Sequence, residues 1–119
     1  PEGRMANGSV RNAWLAWARR QGAYLLEDDA YAELSFVNEV PPSLAANARD
    51  RVFHIGTLSK TLCPGLRIGW LVSPPLHHDE IVERKRVRDL QGNTLSQALI
   101  DDFLAPEYMG TAYTESVLS

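Results

Sequence analysis

One short run, Gly56-Thr57-Leu58-Ser59-Lys60-Thr61-Leu62-Cys63-Pro64-Gly65-Leu66-Arg67-Ile68-Gly69, gathers hydroxyls, an amine and a guanidinium on a turn after an apolar strand. The hydroxyls of Thr57 and Ser59 and the guanidinium of Arg67 suit a phosphate, which accepts charge-assisted hydrogen bonds. The lone amine of Lys60 suits a carbonyl, with which it condenses. A ligand carrying both an aldehyde and a phosphate would use every one of these groups. A nucleotide P-loop shares some of the letters but needs glycine directly before its lysine, so that backbone N–H groups can wrap the phosphates. Ser59 stands there instead. A solvated lysine on a surface turn is the bland alternative. The Pro64-Gly65-Leu66-Arg67-Ile68-Gly69 continuation and an acidic segment upstream speak against it.

That segment is Leu25-Leu26-Glu27-Asp28-Asp29-Ala30-Tyr31, an apolar strand ending in three acids. Carboxylates at the carboxyl end of a strand lie where open α/β sheets bind ligands. Taken alone, such acids could simply end a strand in solvent; beside the Lys60 run they form a second half of one site. His77-His78 offers a poor metal site, because adjacent side chains diverge on a helix and no third ligand lies at a useful spacing. A solvated pair is expected there, and His54, inside a predicted strand, reads as a hydrogen-bonded structural histidine. No Gly-x-Ser-x-Gly elbow for a hydrolase nucleophile is present.

These groups need a scaffold, and the hydrophobic periodicity supplies one. A helix capped by Ser9 is expected to run to Gln21, with Val10, Ala13, Trp14 and Trp17 on one face covering a sheet, and Gly22 in a left-handed stop. Strands are expected at Ala23–Glu27, Val52–Gly56 and Ile68–Ser73, the last stopped by Pro74-Pro75. A charged helix should follow from Asp79 to Leu90. A final helix opens on a Thr94/Gln97 capping box, with Leu95, Leu99 and Phe103 on one face. Strands alternating with helices and joined by parallel crossovers indicate a layered α/β fold.

Composition sets limits. The 119 residues, 45% of them hydrophobic, are one domain's worth of ordinary globular chain. A net charge of -3 gives no general attraction to nucleic acid or membrane. The one basic cluster, Arg84-Lys85-Arg86 with Arg88, is interleaved with Glu80, Glu83 and Asp89 and reads as a solvated helix face. Cys63 is the single cysteine, so no internal disulfide forms, and a reducing, cytoplasmic location is expected. No apolar run approaches the roughly 20 residues that span a bilayer.

The two segments together resemble the class I/II, fold-type I aminotransferases that use pyridoxal 5'-phosphate (PLP). The resemblance spans roughly residues 1 to 105 and is specific at the Lys60 run and at Asp28-x-x-Tyr31. It implies an α/β fold, the three-layer, mainly parallel sheet of that family's large domain, of which 1–105 would be the central part and 106–119 an unassigned tail. Pro1-Glu2-Gly3 is similar to the end of the family's Asn-Pro-Thr-Gly anchor, with glutamate for threonine. The anchor asparagine, the ring-stacking aromatic and the substrate-carboxylate arginine are then expected outside these residues.

By the same resemblance, Lys60 is the catalytic residue. It would hold PLP as an aldimine and then, once freed, move a proton on the substrate. Asp28 would pair with the protonated pyridine nitrogen, preferred over Asp29 by its spacing to Tyr31, and Tyr31 would contact the phenolic oxygen. Thr57, Ser59 and Arg67 would grip the phosphate. The implied reaction moves an amino group between an amino acid and a 2-oxo acid, in a homodimer. The alternatives are the PLP-binding effector domain of a MocR/GntR-type transcription regulator, which would meet nucleic acid only through an upstream winged-helix domain, and an inactive, truncated relic.

Overall fold

The computed structural model describes residues 6–34 and 40–105. Both the Pro1-Glu2-Gly3 segment and the 106–119 tail lie outside the described residues. Helix α1 (Gly8–Gln21) is capped two residues earlier than expected: Asn7 Oδ1 accepts the Val10 N–H at 3.0 Å, and Ser9 only donates its hydroxyl to that oxygen. An asparagine outside the first turn can reach the orphan N–H groups that Ser9, already inside it, cannot. Gly22, at φ 63°, ends the helix as expected; its N–H and that of Ala23 return to the carbonyls of Arg19 and Ala18. This double return is the left-handed stop that glycine adopts without a Cβ clash.

Strand β1 (Leu25–Asp28) pairs in parallel with β2 (Val52–Thr57), in the register Leu25 to Val52 through Asp28 to Ile55. Between them lies the one-turn helix α2 (Leu44–Asn47), capped by the Ser43 hydroxyl. Strand β3 (Gly69–Val72) corrects the expectation of parallel crossovers throughout, since it runs antiparallel to β2, with Gly56 opposite Trp70. The connection from β2 to β3 carries only a short 3-10 turn at Pro64–Leu66. A parallel return needs a crossover of a dozen or more residues, normally a helix, and that short turn cannot provide it. The order is β1-β2-β3.

The core lies on one face of this sheet, where Leu15 of α1, Leu44 and Ala48 around α2, and Val52 of β2 pack together. Partners, more than the helix pattern, choose the buried face of α1. Leu15 and Ala18 are buried, whereas Trp14 and Trp17, expected to cover the sheet, stay 47% and 48% exposed. Helix α3 (His78–Asp89) is a solvated, charged rod, as its composition implied, laced by Arg84–Glu80, Lys85–Asp89 and Arg86–Glu83 pairs. Helix α4 (Thr94–Leu104) is capped by Asn93 rather than Thr94, and its buried positions are Ser96 and Ile100. Leu95 and Leu99, placed by the sequence on one face with Phe103, are exposed. No helix of the described residues is long and apolar enough to cross a membrane.

Candidate functional site

Glu27 and Asp28 end β1, with Asp29 just beyond it, and the two-residue strand period sends Glu27 and Asp28 to opposite faces. Leu25 and Glu27 lie toward the covered side, while Leu26 and Asp28 are exposed. Glu27 becomes a clamp with a side chain only 9% exposed. One oxygen accepts from Arg11 of α1 at 3.2 Å and from the Leu44 N–H at 2.8 Å; the other accepts from Ala45 N–H at 3.4 Å and meets His54 Nδ1 at 3.1 Å. One carboxylate thus ties α1, α2 and β2 to β1. Burial by itself would raise the Glu27 pKa, but the Leu44 N–H, the His54 ring, the Ala45 N–H and the Arg11 charge hold it below the ordinary value.

Asp29 has turned toward the same cluster, 3.9 Å from His54. Burial, and then the charge of Glu27, raise its pKa. Ligand atoms of Glu27, Asp29 and His54 lie within 4.8 Å of one another, and both Glu27 oxygens already accept hydrogen bonds, so the cluster serves as a structural clamp. The expectation of a hydrogen-bonded structural His54 holds. Asp28 is left on the other face, the one that carries its strand partner Ile55, and its Oδ1 accepts from the Ala30 N–H at 3.4 Å.

On leaving β2 the chain enters the Lys60 turn. Thr57 Oγ1 donates to the Ile68 carbonyl at 2.7 Å and accepts the Ser59 N–H at 3.1 Å, while the Leu58 N–H reaches the same carbonyl at 3.2 Å. The turn is thereby pinned to the start of β3. Lys60 Nζ stands 5.5 Å from the centre of the Tyr31 ring, a cation–π distance. Arg67 follows the Pro64–Leu66 turn in a left-handed conformation, φ 55° and ψ 41°.

Ile55, Thr57, Ser59 and Arg67 line one open cleft of about 580 Å³, which extends past Trp70 to His78 and Lys85 of α3. Of the six sequence-derived positions, Thr57, Ser59 and Arg67 therefore meet in the cleft, Lys60 and Tyr31 meet each other, and Asp28 shares the face of Ile55.

Two further features escaped the sequence. The inward turn of Glu27 was available from strand alternation once Asp28 was set outward, but its four partners come from three separate elements. His77, expected in solvent, instead packs edge-on against Tyr24 with ring centres 4.7 Å apart and beside Phe53 at 5.7 Å. No local pattern announced that cluster.

Comparison with known proteins decides the lineage. The model of the aminotransferase class I and II family matches residues 1–114. The chain belongs to this family. Its fold is the α/β fold of the fold-type I aminotransferase structures it resembles. Over 99% of its length this aminotransferase-family chain superimposes on LysN, the alpha-aminoadipate aminotransferase of Thermus thermophilus solved with N-(5'-phosphopyridoxyl)-L-leucine. The TM-score is 0.89 at 32% identity, and 31% of that chain is covered. It is 34% identical over 110 residues to aromatic-amino-acid aminotransferase 1 of Thermococcus litoralis, covering 92% of this chain and 26% of that protein. It is also 30% identical over 120 residues to the uncharacterized HTH-type transcriptional regulator YisV of Bacillus subtilis, covering all of this chain and 24% of the regulator. The chain thus spans about a quarter of the length of the curated relatives it matches.

Proposed function

We propose that this chain carries the lysine segment of a PLP-dependent aminotransferase, acting on an amino acid and a 2-oxo acid in a homodimer. The observation that carries the reading is the Lys60 amine over the Tyr31 ring, on a turn whose Ser59 and Arg67 line the adjoining cleft. The donor set fits the cofactor: an amine for the aldehyde, a guanidinium and two hydroxyls for the phosphate, and an exposed strand-end carboxylate for the ring nitrogen. When bound, PLP supplies an aldehyde that condenses with amines and a protonated ring that draws electron density from the substrate α-carbon.

The residues of the chain do the rest. Arg67 and the hydroxyls of Thr57 and Ser59 would hold the phosphate through charge-assisted hydrogen bonds. Asp28 keeps the ring nitrogen protonated, because a carboxylate beside it stabilises the cationic form. The Tyr31 hydroxyl donates to the phenolic oxygen and its ring limits where Lys60 can rest. The Lys60 amine would hold the cofactor and, when free, would take a proton from the substrate α-carbon as general base and deliver it as general acid to the cofactor's C4' atom.

The similarity to the Bacillus subtilis regulator favours a second reading, the effector domain of a MocR/GntR-type regulator, in which the same residues bind PLP as a signal. Sequencing the gene upstream distinguishes the two, since a basic winged-helix segment there decides for the regulator. Both readings share one test. Incubation with PLP followed by borohydride reduction should leave an adduct that peptide mapping places on Lys60, and Lys60→Ala should abolish it. An adduct on Lys85, or one that survives the substitution, would refute the assignment.

A further inference from the structure

We propose that the small cavity beside the Lys60 turn binds an ordered water that joins Thr61 to Asp29, and that Thr61 is thereby a positioning residue for Lys60. What Lys60 is positioned for rests on the PLP reading above. Thr61 directly follows Lys60, in a turn closed by the Leu58 carbonyl, which accepts the N–H groups of Leu62 at 2.9 Å and Cys63 at 3.2 Å. Lys60 is exposed, with its amine over Tyr31. Thr61 Oγ1, by contrast, is buried and meets no hydrogen-bond partner among the described residues. An unpaired hydroxyl in the interior is costly, and native structures supply such groups with protein or ordered water.

Thr61 lines a cavity of about 70 Å³ together with Asp29, Glu33, His54 and Trp70. A water takes up roughly 30 Å³ in the liquid and needs about two to four polar partners, so the cavity has both the room and the lining. The Thr61 hydroxyl can donate its proton to a water or accept one from it. The Asp29 carboxylate accepts, and the 3.9 Å between its Oδ2 and His54 Nδ1 exceeds a direct hydrogen bond. A polar separation of that size is one that a water can serve.

Such a bridge couples the two halves of the site. Asp29 follows Asp28 at the end of β1, with its N–H on the Ile55 carbonyl at 2.9 Å, and Thr61 follows Lys60 beyond the end of β2. Joining Asp29 to Thr61 fixes the distance from the Asp28 carboxylate to the Lys60 amine. The aldehyde and the ring nitrogen of PLP lie at opposite ends of one rigid ring, and that distance must match them.

A crystal structure of the full-length protein tests the water directly. Density within hydrogen-bond distance of both Thr61 Oγ1 and an Asp29 carboxylate oxygen is expected; a dry cavity, or one filled by a side chain, would overturn the proposal. Thr61→Val keeps the branched shape and removes the hydroxyl, while Thr61→Ser keeps the hydroxyl. In both variants and the unsubstituted protein, the rate of borohydride-trapped adduct at Lys60 is measured with pyridoxal and, separately, with salicylaldehyde. Each has an aldehyde beside a phenol and no phosphate, but only pyridoxal carries the ring nitrogen that would meet Asp28. Thr61→Val should slow pyridoxal capture by about fivefold, the scale of one lost hydrogen bond, and leave salicylaldehyde capture unchanged. Thr61→Ser should match the unsubstituted protein with both. Equal slowing with the two aldehydes would mean only a loosened turn and would overturn the positioning role, as would no change with either. Rates that differ between potassium and tetramethylammonium chloride at one ionic strength would place an ion in the cavity and overturn the water. If the unsubstituted protein forms no adduct at Lys60, the PLP reading fails, and the density by itself decides the link between Thr61 and Asp29.

Discussion

Glu27→Gln tests whether one carboxylate holds the site's scaffold together. Each of its oxygens receives two donors, one from Arg11 and Leu44 N–H, the other from Ala45 N–H and His54. Glutamine has the same shape but one oxygen, so whichever way the amide turns, its NH₂ confronts two donors. With a side chain 9% exposed, water has little room to replace the lost acceptor. A buried donor left unsatisfied costs about 1–3 kcal/mol, and neighbouring bonds are not additive, so a loss of about 2–4 kcal/mol is expected. Urea unfolding followed by tryptophan fluorescence should show a lower midpoint at unchanged slope. The pH dependence carries the sign. The folded state lowers the Glu27 pKa below its ordinary 4.5, so its stabilisation is complete above that value and is lost as pH falls through the folded one. The gap between the two chains should therefore narrow in acid. A loss under about 0.5 kcal/mol, within the range of a neutral surface change, would refute the clamp.

Three other outcomes follow from the same geometry. A Cβ at Gly56 would run into the Trp70 indole across the β2–β3 ladder, so Gly56→Ala should destabilise by about 1–3 kcal/mol and shift tryptophan emission; an unchanged melting curve contradicts this close approach. Arg67→Ala should weaken PLP binding by about 1.5–3 kcal/mol, the scale of a hydrogen bond to a charged group, while leaving borohydride trapping at Lys60 possible; equal affinity would remove Arg67 from the phosphate. The 119-residue chain by itself should not transaminate amino acids with 2-oxoglutarate in excess PLP, because it spans about a quarter of its relatives and catalysis needs every reacting group held near attack geometry. Stereospecific product from the purified chain would show the site to be complete.

Residue type and spacing were enough to single out Lys60, the Asp28-x-x-Tyr31 pair and the Thr57, Ser59 and Arg67 donors as candidates, because the chemistry of a phosphate and an aldehyde demands particular groups at short range along the chain. The strand cores, the parallel pairing of β1 with β2 and the glycine stop at Gly22 were legible for a similar reason, since period-two alternation and left-handed turns are local. Non-local contacts decided the rest. Which stripe of α1 is buried depended on where Leu44 and Val52 lie, and the tryptophans lost that place to Leu15 and Ala18. The direction of β3 followed from a connection too short for a crossover. Glu27 reads as one acid among three until Arg11, α2 and His54 converge on it from distant parts of the sequence. The Thr57 hydroxyl is one candidate donor among several in the sequence, and only the fold brings the Ile68 carbonyl, eleven residues on, within 2.7 Å of it. A side chain's type states what it can donate or accept; only the tertiary structure states which partner reaches it.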